Sequence, residues 1–325
     1  MNWEDEYDVS AQDLIASAIL APSSHNTQPW IFRVTPRGLD LIADRTRALP
    51  VNDPEDRELV ISCGAALFNL RVAVAERGSR AHVATLPDAA DPDLLATVHL
   101  ETGEGWSSPL PGLAEAIPER RTYRKKFAER EVVEDQRQAL QDAAEEEGCS
   151  FLSVNDRGLR ERIAQLVSEG DSIQWSSRSW RRELASWMHP RREGDGLAVP
   201  ALAAPLARVF IRTFDMGGGT AAKDQELADE SPLLAVLGTE SDRETDWMTA
   251  GQALERVLLT ATNRGLQASY LNQPVQVPAL RSELASETSL RFPQVILRFG
   301  YPESELEAAP RRPVGAVLER LEDGA

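Results

Sequence analysis

An α+β fold is predicted for this chain: a mixed or antiparallel sheet around long central helices, formed by two diverged tandem halves that make an intramolecular pseudo-dimer. Two observations predict it. Residues 62–78 and 249–265 are both long, largely apolar and helical in pattern, and match without a gap. Gly64 meets Gly251, Ala66 meets Ala253, Leu67 meets Leu254, Arg77 meets Arg264 and Gly78 meets Gly265. Each ends at a glycine, where a left-handed cap residue is expected, and each is followed by a strand. The second observation is length, since 325 residues suffice for one large domain of repeated halves. The small-residue faces led by Gly64-Ala-Ala66 and Gly251-Gln-Ala253 would let the two helices pack closely along a central seam, as in a symmetric homodimer. The alternative is two unrelated core helices that share a common type of stop.

Taken in order, residues 9–20 place Leu14, Ile15, Ala18 and Ile19 on a helical stripe behind Ser10, and Pro22 stops it. Residues 30–34, a Thr-Pro-Arg-Gly turn and residues 39–43 read as a hairpin. A helix over 55–77 and strands at 82–86 and 95–100 follow. Residues 109–130, rich in Pro, Gly and Arg, read as a connector. The second half opens with a helix over 134–147, a strand at 151–154 and a helix from 159. A strand at 233–238, a helix over 246–264 and strands at 268–271 and 294–299 complete it. The halves are accordingly 1–118 and 119–325. Within the second, residues 171–200 carry Trp175, Trp180, Trp187 and several arginines. This segment reads either as a lid over a site or as an amphipathic surface helix with its tryptophans inward.

The formal net charge of −17 is a repulsive field for polyanions and argues against a nucleic-acid or anionic-membrane partner. Two cysteines, Cys63 and Cys149, suggest no disulfide framework. His25, His82, His99 and His189 never fall at zinc-ligand spacing, so no metal is expected. The acidic N-terminus lacks a basic region ahead of an apolar stretch, and no segment offers the ~18 uncharged apolar residues of a spanning helix. Cytoplasmic localisation is the expectation.

The densest motif is Ala21-Pro-Ser-Ser-His-Asn-Thr-Gln-Pro-Trp30, between a helix and a strand. Its hydroxyl and amide side chains offer donors and acceptors to a planar, polar-edged ligand, with Trp30 as packing anchor. A turn that merely satisfies its own backbone would explain any one of these residues, but not so dense a string. The second motif, Arg120-Arg-Thr-Tyr-Arg-Lys-Lys-Phe127, puts five positive charges into eight residues. Arginine forks take phosphate bidentately, and a nearby hydroxyl completes the oxyanion shell. A solvated basic stretch is the alternative. Two further motifs are Tyr270-Leu-Asn-Gln-Pro274 and Phe299-Gly-Tyr-Pro302 followed by Arg311-Arg-Pro313.

The first motif resembles the signature of the FMN-dependent nitroreductase superfamily, and the chain as a whole resembles its double-length, Acg-like branch. The resemblance implies a nitroreductase-like fold holding FMN. It implies that Pro22, Ser23, Ser24, Asn26 and Gln28 face the isoalloxazine and that Arg120, Arg121 and Thr122 hold the phosphate. Arg124 would lie near the flavin pyrimidine, where a cation stabilises the anionic reduced ring. Arg311 and Arg312 would return to the phosphate, and Asn272 and Gln273 would bond the N5 and O4 edge. The Pro-Ser-Ser element occurs in the first half alone and the Arg-Arg-Thr element in the second alone, so one site is expected rather than two.

The activity implied is NAD(P)H-dependent reduction of nitroaromatic or quinone-like acceptors, by ping-pong hydride transfer through flavin N5. The cofactor performs the redox step, so no catalytic acid or base is nominated. The rival reading is an FMN-sequestering or storage protein whose flavin is covered by residues 171–200. A hydrolase is disfavoured because no Gly-x-Ser-x-Gly elbow occurs. Gly217-Gly-Gly219 lacks the context of a dinucleotide fingerprint, so NAD(P)H is expected as a visiting substrate. A monomeric pseudo-dimer and a homodimer are both compatible with the pattern.

Overall fold

The computed structural model describes residues 3–101, 110, 112–189, 194–198, 217–229 and 231–321. Helices α1 (Trp3–Tyr7) and α2 (Ala11–Ala18) lead into the hairpin β1 (Trp30–Thr35) and β2 (Gly38–Ala43). Helix α3 (Arg57–Glu76) then runs to β3 (Arg80–Thr85) and β4 (Leu94–Glu101). After the connector come α4 (Glu134–Glu145), β5 (Ser150–Ser153), α5 (Arg157–Ser176), α6 (Arg178–Ser186), β6 (Met188–His189), β7 (Leu197–Ala198) and α7 (Gly217–Asp229). The chain continues through β8 (Leu233–Thr239), α8 (Glu244–Asn263), β9 (Gln267–Tyr270), α9 (Gln273–Gln276), α10 (Pro278–Thr288) and β10 (Phe292–Gly300) to β11 (Leu318–Arg320).

The two main sheets share one plan. The first is ordered β11-β1-β2-β4-β3 and the second β5-β8-β10-β9. Set β1-β2-β4-β3 against β5-β8-β10-β9, and every neighbouring pair is antiparallel in both. In each, the long helix links the second strand of that order to the last: α3 joins β2 to β3, and α8 joins β8 to β9. The halves differ in two places. Helices α5 to α7 are inserted between β5 and β8, where the first half has only a hairpin turn. Strand β11 pairs in parallel with β1, Leu318 opposite Phe32, so the end of the chain extends the first sheet and makes it mixed.

Helices α3 and α8 meet backbone to backbone. A Cβ placed on Gly64 would lie 2.5 Å from the Met248 carbonyl oxygen, and one on Gly251 would lie 2.8 Å from Gly64 Cα and nearer still to the Ile61 carbonyl oxygen. Only glycine fits such an approach. Both helices also end alike. Gly78 (φ 74°) and Gly265 (φ 75°) are left-handed, their N–H groups donate to Ala75 and Thr262, and the next N–H groups, of Ser79 and Leu266, reach back to Val74 and Ala261. This is a Schellman motif in each. Helix α3 is long and apolar enough to cross a membrane, but 89% of its apolar window is buried inside the protein, which marks it as a core helix.

Candidate functional site

A cleft of about 530 Å3 opens where the loop after α2 faces the connector, beside the crossing of α3 and α8. The loop contributes Pro22, Ser23, Ser24, His25 and Asn26, and the connector contributes Arg120, Arg121, Thr122 and Arg124. The first turns of α3 add Glu58, Ile61 and Ser62, α8 adds Leu254, and Tyr270, Asn272, Gln276 and Arg311 close the remaining walls. The two motifs that the sequence places in opposite halves thus share one cavity, of a size that suits a cofactor.

The loop is sharply bent. His25 (φ 50°), Asn26 (φ 55°) and Gln28 (φ 52°) are all left-handed, which costs a residue with a side chain about 1–2 kcal/mol. Local bonds hold the bend. Ser23 Oγ accepts from the Gln28 N–H at 2.9 Å, and Asn26 Nδ2 donates to the carbonyls of Gly196 (3.3 Å) and Pro310 (3.2 Å). Gln28 itself is fully buried outside the cleft lining: its Nε2 donates to the Gly194 carbonyl at 2.8 Å and its Oε1 accepts from the Arg312 N–H at 2.9 Å. The Arg312 guanidinium reaches the Gln28 carbonyl and Asp44. Contrary to expectation, Gln28 and Arg312 are therefore tethers between the loop and the C-terminal stretch. Gln273 needs the same correction. Its amide donates to Asp171 (3.2 Å) and Asp224 (2.8 Å), while Gln276, one helical turn on, lines the cleft.

The arginine segment is strung along the second sheet. Arg298, buried on β10, donates to the carbonyls of Tyr123 and Lys125, both at 3.0 Å, and the Arg121 N–H donates to Gln267 Oε1 at 2.8 Å. Arg120 is buried, with Nη2 on the Leu20 carbonyl at 3.3 Å and Nε 3.7 Å from the Glu255 carboxylate of α8. The Arg121 guanidinium donates to the carbonyls of Pro118, Arg120 and Leu306. Arg311 caps the end of α2, donating to the carbonyls of Ile19 (2.8 Å), Leu20 (2.9 Å) and Ala21 (3.1 Å), and burial brings its pKa down to about 9. Arg124 differs from these three: its guanidinium makes no hydrogen bond or ion pair among the described residues. Loss of water between the cleft walls lowers its pKa.

Two cleft groups, Glu58 and Gln276, lie outside the sequence motifs. Glu58, buried at the start of α3, accepts from the Ser24 hydroxyl at 2.6 Å and from Gln276 Nε2 at 2.9 and 3.0 Å. The Ser24 proton is thereby committed, and its oxygen is left to accept from the cleft. Tyr270 Oη, His25 Nδ1 and Arg120 Nε are buried without a hydrogen-bond partner among the described residues. Burial raises the Tyr270 phenol and lowers the His25 imidazole to about 4, so both are neutral near pH 7.

No protein-family model matches the chain. It is 31% identical over 323 residues to a Mycobacterium tuberculosis protein named "Putative NAD(P)H nitroreductase", covering 97% of this chain and 92% of that one. Over 320 residues it is also 31% identical to the same organism's "Putative NAD(P)H nitroreductase acg", at 94% and 95% coverage. The chain belongs to the nitroreductase family. Among solved structures, a nitroreductase with bound FMN from Bacteroides fragilis aligns over 60% of this chain and 92% of its own, at 17% identity and a TM-score of 0.39.

In this nitroreductase-family chain, the Trp- and Arg-rich segment braces the first half. Trp180 Nε1 donates to Asn52 Oδ1 at 2.9 Å, Glu183 accepts from the Val51 and Asn52 N–H groups at 2.9 and 2.8 Å, and Asp195 pairs with Arg47. Residues 190–193 and 199–200 of the expected lid lie outside the described residues. None of its described residues borders the cleft.

Proposed function

We propose that this chain is an FMN-dependent oxidoreductase that takes reducing equivalents from NAD(P)H and passes them to a nitroaromatic or quinone-like acceptor, using one FMN held between halves 1–118 and 119–325. The observation that carries this reading is the meeting of the 22–26 loop and the 120–124 arginine segment in one cavity. The residues suit the group. FMN joins a planar ring with a polar edge to an anionic phosphate. Among the described residues, the cleft offers an uncommitted guanidinium at Arg124, buried polar atoms without hydrogen-bond partners at His25, Arg120 and Tyr270, and four lining arginines in a chain of net charge −17. Buried groups of this kind are rare unless a ligand, ion or water completes them.

Arg120, Arg121 and Thr122 would hold the phosphate, with Ser24, Asn272 and Arg124 toward the ring. Bound there, FMN would supply hydride transfer at N5, first from the nicotinamide and then, after its departure, to the acceptor. The chain's own contribution is positional. Glu58 and Gln276 orient the Ser24 hydroxyl, Arg311 fixes the loop on the end of α2, and Arg124 brings a cation that favours added negative charge. The names of the two mycobacterial relatives support NAD(P)H as donor. The storage reading is not favoured, since no described residue of 171–200 borders the cleft.

The purified protein is expected to be yellow and to bleach promptly on anaerobic addition of NADPH or NADH. A spectrum that stays oxidised with both, yet bleaches with dithionite, would support storage instead. A colourless protein that takes up no added FMN would overturn the proposal. Arg124→Ala is expected to weaken FMN binding by about tenfold or more, the worth of a charge-assisted hydrogen bond, without altering the thermal midpoint of the flavin-free protein. Fluorescence titration measures this, and an unchanged Kd removes Arg124 from the site.

A further inference from the structure

Glu255 stands behind the cleft rather than in it. It is fully buried on α8, with Arg120 as its nearest ion-pair partner among the described residues. Four side chains face it: Arg120 of the connector at 3.7 Å, Arg311 of the C-terminal stretch, Tyr270 of β9 and the Asn69 amide of α3. Arg120, Arg311 and Tyr270 also line the cleft. Arg120 is therefore shared between a carboxylate on its buried side and whatever anion occupies the cleft, and its Nε is free of hydrogen bonds to either side.

We infer that Glu255 is a proton-accepting positioning residue for the cleft: ionised, it balances Arg120 in the open site, and it takes up a proton when a phosphate-bearing ligand settles against that arginine. Two anions on one guanidinium, with little water between them, repel strongly, and a buried carboxylate relieves this by neutralising. The step balances simply, one solvent proton adding to one carboxylate oxygen as the ligand binds. Burial, partly offset by Arg120, already holds the Glu255 carboxyl up at about 7, so a modest added negative field suffices to protonate it at neutral pH. The inference rests on the reading of the cleft as an anion site that takes FMN.

The test is calorimetric titration of FMN into flavin-free protein between pH 7 and 8.5, in two buffers of different ionisation enthalpy. Wild type is expected to take up protons on binding and to lose affinity by up to about tenfold per pH unit, whereas Glu255→Gln takes up fewer and keeps a flatter profile. Equal uptake and equal slopes in both proteins overturn the inference while leaving FMN binding intact. Absence of FMN binding sinks the flavin reading alone, and inorganic phosphate, titrated in the same way, then decides the inference by the same comparison. If Glu255→Gln fails to fold, infrared spectra of wild type at pH 7.5 replace it. A protonated-carboxyl band that grows on adding the anion supports the coupling, and a band that does not change refutes it.

Discussion

Gly251→Leu is expected to destabilise the protein by about 3 kcal/mol or more, enough to lower the thermal midpoint by about 4 °C or more, because the added side chain has nowhere to go. The atoms it would meet are the Ile61 carbonyl oxygen, Gly64 Cα and the Ala65 nitrogen, all backbone of α3. Backbone cannot swing aside as a side chain can, so the two helices must separate and loosen the core around Cys63, Ala65, Leu254 and Val257. The cleft should fail with them, since Ile61 and Leu254 form part of its wall. Gly78→Ala is the control. It sits at φ 74° with open space around it, so its cost is conformational and about 1 kcal/mol. Circular-dichroism melts separate the two, and a Gly251→Leu midpoint within 2 °C of wild type would rule out a glycine-tight seam.

Arg120→Ala is expected to cost about 1–2 kcal/mol more at pH 8 than at pH 5, since with its nearest counter-ion gone the buried Glu255 carboxyl must be held protonated. The pH dependence has a definite sign. Burial lifts the folded-state pKa of Glu255 from 4.5 to about 7, so the folded protein holds that proton more tightly than the unfolded chain does. The resulting stability is fully present below about 4.5 and is lost as pH rises through 7. Without Arg120 the carboxyl climbs further, and the variant's deficit should widen from pH 5 to pH 8. Adding Glu255→Gln should recover part of it at pH 8. A deficit that is constant with pH, or that Glu255→Gln deepens, refutes the pairing. One corollary concerns interpretation: loss of flavin from Arg120→Ala mixes folding with binding, whereas Arg124→Ala does not.

The central seam was legible because glycine inside a helix is disfavoured by about 1 kcal/mol, so a matched pair at 64 and 251 implies a compensating close approach. The meeting of the two polar motifs was legible from their division between halves. Which side chain faces the cleft was harder to read. In a loop with three left-handed residues no period tells inside from outside, and an amide bonded to backbone looks the same in sequence as one awaiting a ligand. Gln28 and Arg312 went astray for that reason. Residue 273 was misread because the stretch after β9 turns at once into α9, where the Gln273 amide is drawn to Asp171 and Asp224 rather than to the cleft. Glu58 and Glu255 are acids inside otherwise apolar helices, and a search for apolar periodicity passes over them. Strand β11 has only three residues, two of them charged, and owes its conformation to the edge of β1 rather than to its own pattern.

That edge has a history during synthesis. Arg33 on β1 finds Glu319 across a separation of 286 residues, so the outer side of β1 leaves the ribosome long before its partner exists. At ordinary elongation rates the wait is roughly 15–60 s, time in which unpaired strand groups can recruit a stray neighbour. The nascent chain thus carries an open sheet edge until residues 318–320 emerge and close it.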